Sequence, residues 1–162
     1  MNIFDYAIQM ELDGKAFYEK LAEESETDGL KSIFRSLALD EQKHYDVFMQ
    51  MKEQGAVMSM VDSEALDGAK NVFTQLQERG IAPGADAKNL EAYQYAMQVE
   101  SDSATLYQEA ADKEANQEIK DILLRIAVEE RKHLNIIENV FEFVNAPNQN
   151  LVWAEFSNLK DF

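Results

Sequence analysis

Both histidines of this chain stand three residues after a glutamate, in Glu41-Gln42-Lys43-His44 and in Glu130-Arg131-Lys132-His133. On a helix that spacing sets carboxylate and imidazole side by side on one face. A further glutamate lies thirty residues ahead of each motif, Glu11 and Glu100. Carboxylates gathered around an imidazole are ligands for divalent cations. Oxygen donors with one imidazole per ion suit iron or manganese better than zinc, which favours tetrahedral nitrogen and sulfur sets. Glutamate makes up about 12% of the residues, so its presence at that position before both histidines is a rare coincidence on composition alone.

The two sets are parts of one repeat. A shift of 89 residues lays the first part of the chain on the second without a gap, matching Tyr6 with Tyr95, Glu11 with Glu100, Asp13 with Asp102, Tyr18 with Tyr107, Glu41 with Glu130 and His44 with His133. Duplication and fusion of one helical hairpin is the simplest account. The flanking residues turn the carboxylates inward: Phe4 and Tyr18 lie seven positions either side of Glu11. Leu37 and Tyr45 flank Glu41, and Ile126 and Leu134 flank Glu130, at one helical turn. Four buried glutamates would repel one another and lose hydration, which raises their pKa values. Two divalent cations neutralise them. A symmetric dinuclear centre follows, with Glu11, Glu41, His44, Glu100, Glu130 and His133 as its ligands; spacing leaves open which carboxylate bridges.

The elements that must position these groups are helices. Only six glycines and two prolines interrupt the chain, and no alternating apolar strand pattern occurs. Apolar spacing predicts a helix from Asn2, as cap, to about Glu26, with Tyr6 among its inward residues, and a turn at Thr27-Asp28-Gly29. A second helix runs from about Leu30 to Gln54. The long connection holds a short helix from a Ser63 cap to Glu78. Further helices are expected from about Ala87 to Ala115 and from Gln117 to Val144. The fold class is all-α, one domain over 1–162: a hairpin (2–54), a crossover with its short helix (55–87), a second hairpin (88–145) and a tail (146–162) whose Trp153, Phe156 and Phe162 pack on the bundle or a second copy. With a turn near residues 26–29, Glu11 and Glu41 each lie roughly 20 Å from it along antiparallel helices, hence level with one another.

Composition narrows the partners. With no cysteine, thiolate chemistry, Cys-ligated zinc and iron–sulfur clusters are excluded. A net charge of −16 repels phosphate backbones and anionic lipids, so neither nucleic acid nor membrane is expected as a partner. No basic segment precedes an apolar run near Met1, and no apolar run is long enough to span a bilayer; a cytoplasmic location is expected. Met10, Met49, Met51, Met58 and Met60 read as core filler rather than ligands.

One glutamate from each of two helices and Glu-x-x-His from each of the other two resembles the rubrerythrin and ferritin-like di-iron carboxylate superfamily, over residues 2–145. The resemblance implies a ferritin-like four-helix bundle with its long crossover between the second and third long helices, and two iron ions, with manganese or zinc as possible occupants. Rubrerythrins carry an extra glutamate three positions after the third-helix ligand; here Ser103 stands there and Gly14 at its counterpart. A rubredoxin domain is excluded by the missing cysteines. Gln42 replaces the haem-binding methionine of bacterioferritin, so no haem is expected. Tyr18 and Tyr107, two turns from Glu11 and Glu100, are candidates for hydrogen bonding to a ligand carboxylate or for local electron supply, and equally for core packing. The leading expectation is reduction of peroxide or dioxygen with an external electron donor, in a homodimer. The alternatives are a ferroxidase that handles iron and a non-catalytic metal-binding or structural bundle.

Overall fold

The computed structural model describes residues 3–55, 59–81 and 84–145. These form α1 (Ile3–Glu24), α2 (Asp28–Gln54), α3 (Ala65–Arg79), a 3-10 helix (Gly84–Asn89), α4 (Leu90–Lys113) and α5 (Gln117–Asn145), with no strand among the described residues. The all-α expectation holds. α1 pairs closely with α2 and α4 with α5, while α3 packs against α2 and α5. Two apolar clusters divide the bundle along its axis. One is built on Phe34, Leu37, Tyr93, Ile136 and Phe143, the other on Val47, Phe48, Tyr107, Leu123 and Ile126. Between them α2 and α5 carry a polar layer at residues 40–44 and 129–133.

The first turn departs from expectation. It occupies residues 25–27, and Asp28 and Gly29 already belong to α2. Gly29 serves packing instead: a Cβ there would meet Val72 Cγ1 of α3 at 2.7 Å. The helix that was expected from Ala87 begins at Leu90, because the preceding residues form the 3-10 helix. That segment delivers Asp86 to the turn, where its carboxylate accepts from the Glu26 N–H (2.9 Å), the Thr27 N–H (3.3 Å) and the Thr27 hydroxyl. Asp86 is 1% exposed and so ties down, from across the chain, the turn that leads into α2. Asp86→Ala leaves these donors without an acceptor and lowers stability by about 2 kcal/mol, a fall of roughly 4–8 °C in melting temperature, read by circular dichroism; Asp86→Asn recovers part of it.

Ser63 precedes α3 by one residue more than a cap requires, yet its hydroxyl still accepts from the Ala65 N–H at 3.1 Å. Tyr6, expected inward, is 51% exposed. Met51 and Met60 are buried, Met10 and Met49 half-buried. Asn2, Met58 and the tail with Trp153, Phe156 and Phe162 lie outside the described residues. Among the described residues no helix is long and apolar enough to cross a membrane.

Candidate metal centre

The polar layer brings all six expected residues together at mid-bundle, each at most 4% exposed. α1 contributes Glu11, α2 Glu41 and His44, α4 Glu100, and α5 Glu130 and His133. They fall into two groups whose ligand atoms lie within 4.8 Å of one another: Glu11, Glu41, His44 and Glu130, and Glu41, Glu100, Glu130 and His133. Glu41 and Glu130 occur in both. Glu11 and Glu100 each occur in one group only.

The halves are crossed. Glu130 Oε1 is 3.0 Å from His44 Nδ1 and 3.8 Å from His133 Nδ1. Glu41 Oε1 is 3.1 Å from His133 Nδ1 and 4.0 Å from His44 Nδ1. The imidazoles stack at 6.0 Å with both Nδ1 atoms facing the carboxylates. Each tyrosine also serves the opposite half: the Tyr18 hydroxyl donates to Glu100 Oε1, and the Tyr107 hydroxyl to Glu11 Oε1 at 2.7 Å. Of the two readings open for Tyr18 and Tyr107, the carboxylate hydrogen bond is made, and both rings are packed in the core as well.

Two further carboxylates of the layer escaped the sequence. Asp40 Oδ2 lies 2.8 Å from His133 Nε2, and Glu129 Oε1 lies 2.8 Å from His44 Nε2. Each immediately precedes a Glu-x-x-His motif, and the 89-residue shift matches them, though as Asp against Glu. Burial pushes the Asp40 carboxyl up, but His133, Ser63 and Lys43 outweigh it and hold the group well below the usual range. An ionised acceptor fixes the proton on His133 Nε2 and leaves Nδ1 for an ion. The crossover joins the two acids: the Ser63 hydroxyl donates to Asp40 and the Ser63 N–H to Glu129 Oε2 at 3.0 Å.

Charge is unbalanced within the cluster. Burial, then the negative charge of Glu11, Glu130 and Glu100, drives Glu41 well above the usual carboxylate range. Burial, Glu100 and Glu11 do the same to Glu130. For Glu11 burial acts upward too, but His44 and hydrogen bonds from its neighbours prevail and bring it below 4.5. Burial lowers both histidines, yet Glu11 beside His44 and Glu100 beside His133 lift them well above 6.5.

Each of the six residues also turns one buried atom into the cluster that makes no hydrogen bond: Glu11 Oε2, Glu41 Oε1, His44 Nδ1, Glu100 Oε2, Glu130 Oε1 and His133 Nδ1. Buried polar atoms are rarely left this way. Four carboxylate oxygens and two imidazole nitrogens of this kind, on residues two of which belong to both groups, fit divalent cations. Asp40→Asn and Glu129→Gln, which free the imidazoles to turn, are expected to weaken metal binding by roughly 10–100-fold each while the helical signal is kept; competition with a chromophoric chelator measures it.

A family model described as rubrerythrin matches residues 2–141. Nothing among curated proteins or solved structures matches the chain.

Proposed function

Because the chain belongs to the rubrerythrin family, we propose that it holds two iron ions between its hairpins and reduces peroxide or dioxygen. The observation that carries this reading is the set of six buried ligand atoms without hydrogen bonds, two of which belong to both groups. Bound there, two ferrous ions supply two electrons and Lewis acidity to an O–O bond, and an external donor restores them.

The protein's share is placement and proton control. Glu41 and Glu130 would be shared by two ions, with Glu11 and His44 holding one and Glu100 and His133 the other, as their common membership of both groups supports. The tyrosine hydroxyls occupy Oε1 of Glu11 and Glu100, which leaves Oε2 of each for an ion. Burial first, then the facing carboxylates, raises Tyr18 and Tyr107 well above 10, so both keep their protons. They therefore remain donors that hold Glu100 and Glu11 in place, while the two protons and two electrons that turn peroxide into two waters come from solvent and the external donor. Apolar side chains above and below close the layer along the bundle axis.

Stopped-flow mixing of the anaerobic, ferrous-loaded protein with hydrogen peroxide tests the proposal. Oxidation at least about tenfold faster than that of free ferrous ion is expected, and no acceleration overturns it. The mass of the same preparation separates a dimer, which suits peroxide reduction, from a cage-sized particle, which suits iron storage.

A further inference from the structure

We propose that the groove between α1 and α4 binds a small organic monocation, an alkyl- or arylalkylammonium, with its apolar end directed at the metal centre. The groove encloses about 260 Å³, several times the roughly 30 Å³ of one water, and far more than peroxide or dioxygen fills. It reaches Glu41, Glu100 and Glu130 at its inner end.

Its shape comes from two small residues. The crossed bonds Tyr18–Glu100 and Tyr107–Glu11 hold α1 and α4 antiparallel. That register sets Gly14 within about one residue of level with Ser103. Neither fills the space between the helices. A Cβ on Gly14 would come within 2.8 Å of Glu41 Oε2, so glycine brings the groove directly against a shared carboxylate. Ser103 is 3% exposed and its small side chain lines the groove opposite Gly14.

The lining selects the ligand class. Met10, Phe17, Ala96 and Val99 give an apolar wall, and no basic residue lines the groove. Asp13 and Asp102, both exposed, stand at its open side, and the exposed rings of Tyr6 and Tyr95 flank it (51% and 61%). Aspartates and tyrosine faces attract an ammonium group, while the apolar wall takes a hydrocarbon body. Anions meet only negative charge.

The test uses the full chain loaded with zinc, which carries no redox activity, so its outcome is independent of whether the iron form reduces peroxide. Isothermal titration compares phenethylammonium, 2-phenylethanol and 3-phenylpropanoate. Saturable binding of the ammonium, tighter than the alcohol, with no binding of the carboxylate, is the expected result. Asp13→Asn with Asp102→Asn weakens the ammonium by about fivefold and leaves the alcohol unchanged. Val99→Trp removes binding by filling the wall, with zinc content and circular dichroism confirming the fold. Absence of ammonium binding, equal affinity for ammonium and alcohol, or unchanged binding by a folded Val99→Trp protein overturns the proposal; the surface double variant decides the matter should Val99→Trp fail to fold.

Discussion

Replacing Glu41 and Glu130 together by glutamine is expected to make the metal-free protein more stable and to abolish its uptake of metal. Both carboxyls are fully enclosed, and burial and the surrounding glutamates oppose their ionisation. Glutamine keeps the volume and the hydrogen-bonding capacity but carries no charge, so repulsion within the layer falls. A gain of about 2 kcal/mol corresponds to a rise of roughly 4–8 °C in melting temperature. In the natural protein a divalent cation bound a thousandfold above its dissociation constant adds about 4 kcal/mol, or roughly 8–16 °C, through preferential binding to the folded state. The double variant loses that response, because both groups of ligands contain both residues. Thermal melts with chelator and with zinc check the two signs. A less stable metal-free variant, or one that still gains from zinc, contradicts the assignment of these residues as shared ligands.

The second large effect is a reversal with pH. Glu41 and Glu130 in the fold lie above their ordinary 4.5, and His44 and His133 above their ordinary 6.5. All four therefore bind protons more tightly folded than unfolded. Their contribution is complete below the unfolded values and is lost as pH rises through the folded ones. Glu11 and Asp40 have the opposite sign, but their contribution is lost only below about 4, as pH falls through their lowered values. Metal-free protein should thus gain stability as pH falls from about 8 to about 5. Metal-loaded protein should lose stability over the same interval, since the ions require deprotonated ligands. Loading with zinc at neutral pH should acidify a weakly buffered solution, which an indicator dye detects. Metal-free melts that rise with pH would contradict the charge distribution described for the layer.

Much of this was legible in the sequence because helices obey fixed arithmetic. The interval of three between Glu41 and His44, the interval of thirty from Glu11, and the 89-residue shift together require level, facing side chains once antiparallel helices are granted. Sharing was not legible. That Glu41 lies nearer His133 than His44 depends on how α2 and α5 face each other, which no interval along the chain encodes. Asp40 and Glu129 were passed over because their imidazole partners lie in the other half and because they differ between the halves, so comparison by identity skips them. Gly29 misled for a related reason: a glycine beside Thr27-Asp28 reads as a turn, whereas the demand for it comes from α3, more than forty residues later.

The crossing of the halves has a bearing on ancestry. Each histidine leans on an acid from the opposite hairpin, and each terminal glutamate on a tyrosine from the opposite hairpin. A progenitor with a single hairpin could have assembled the layer only by pairing with its own copy, and every substitution would then have appeared twice. Joining the copies in one polypeptide ended that constraint. Asp40 could diverge from Glu129, Gly14 from Ser103 and Met10 from Val99, so that symmetry survives among the ligands while the wall beside them has become lopsided.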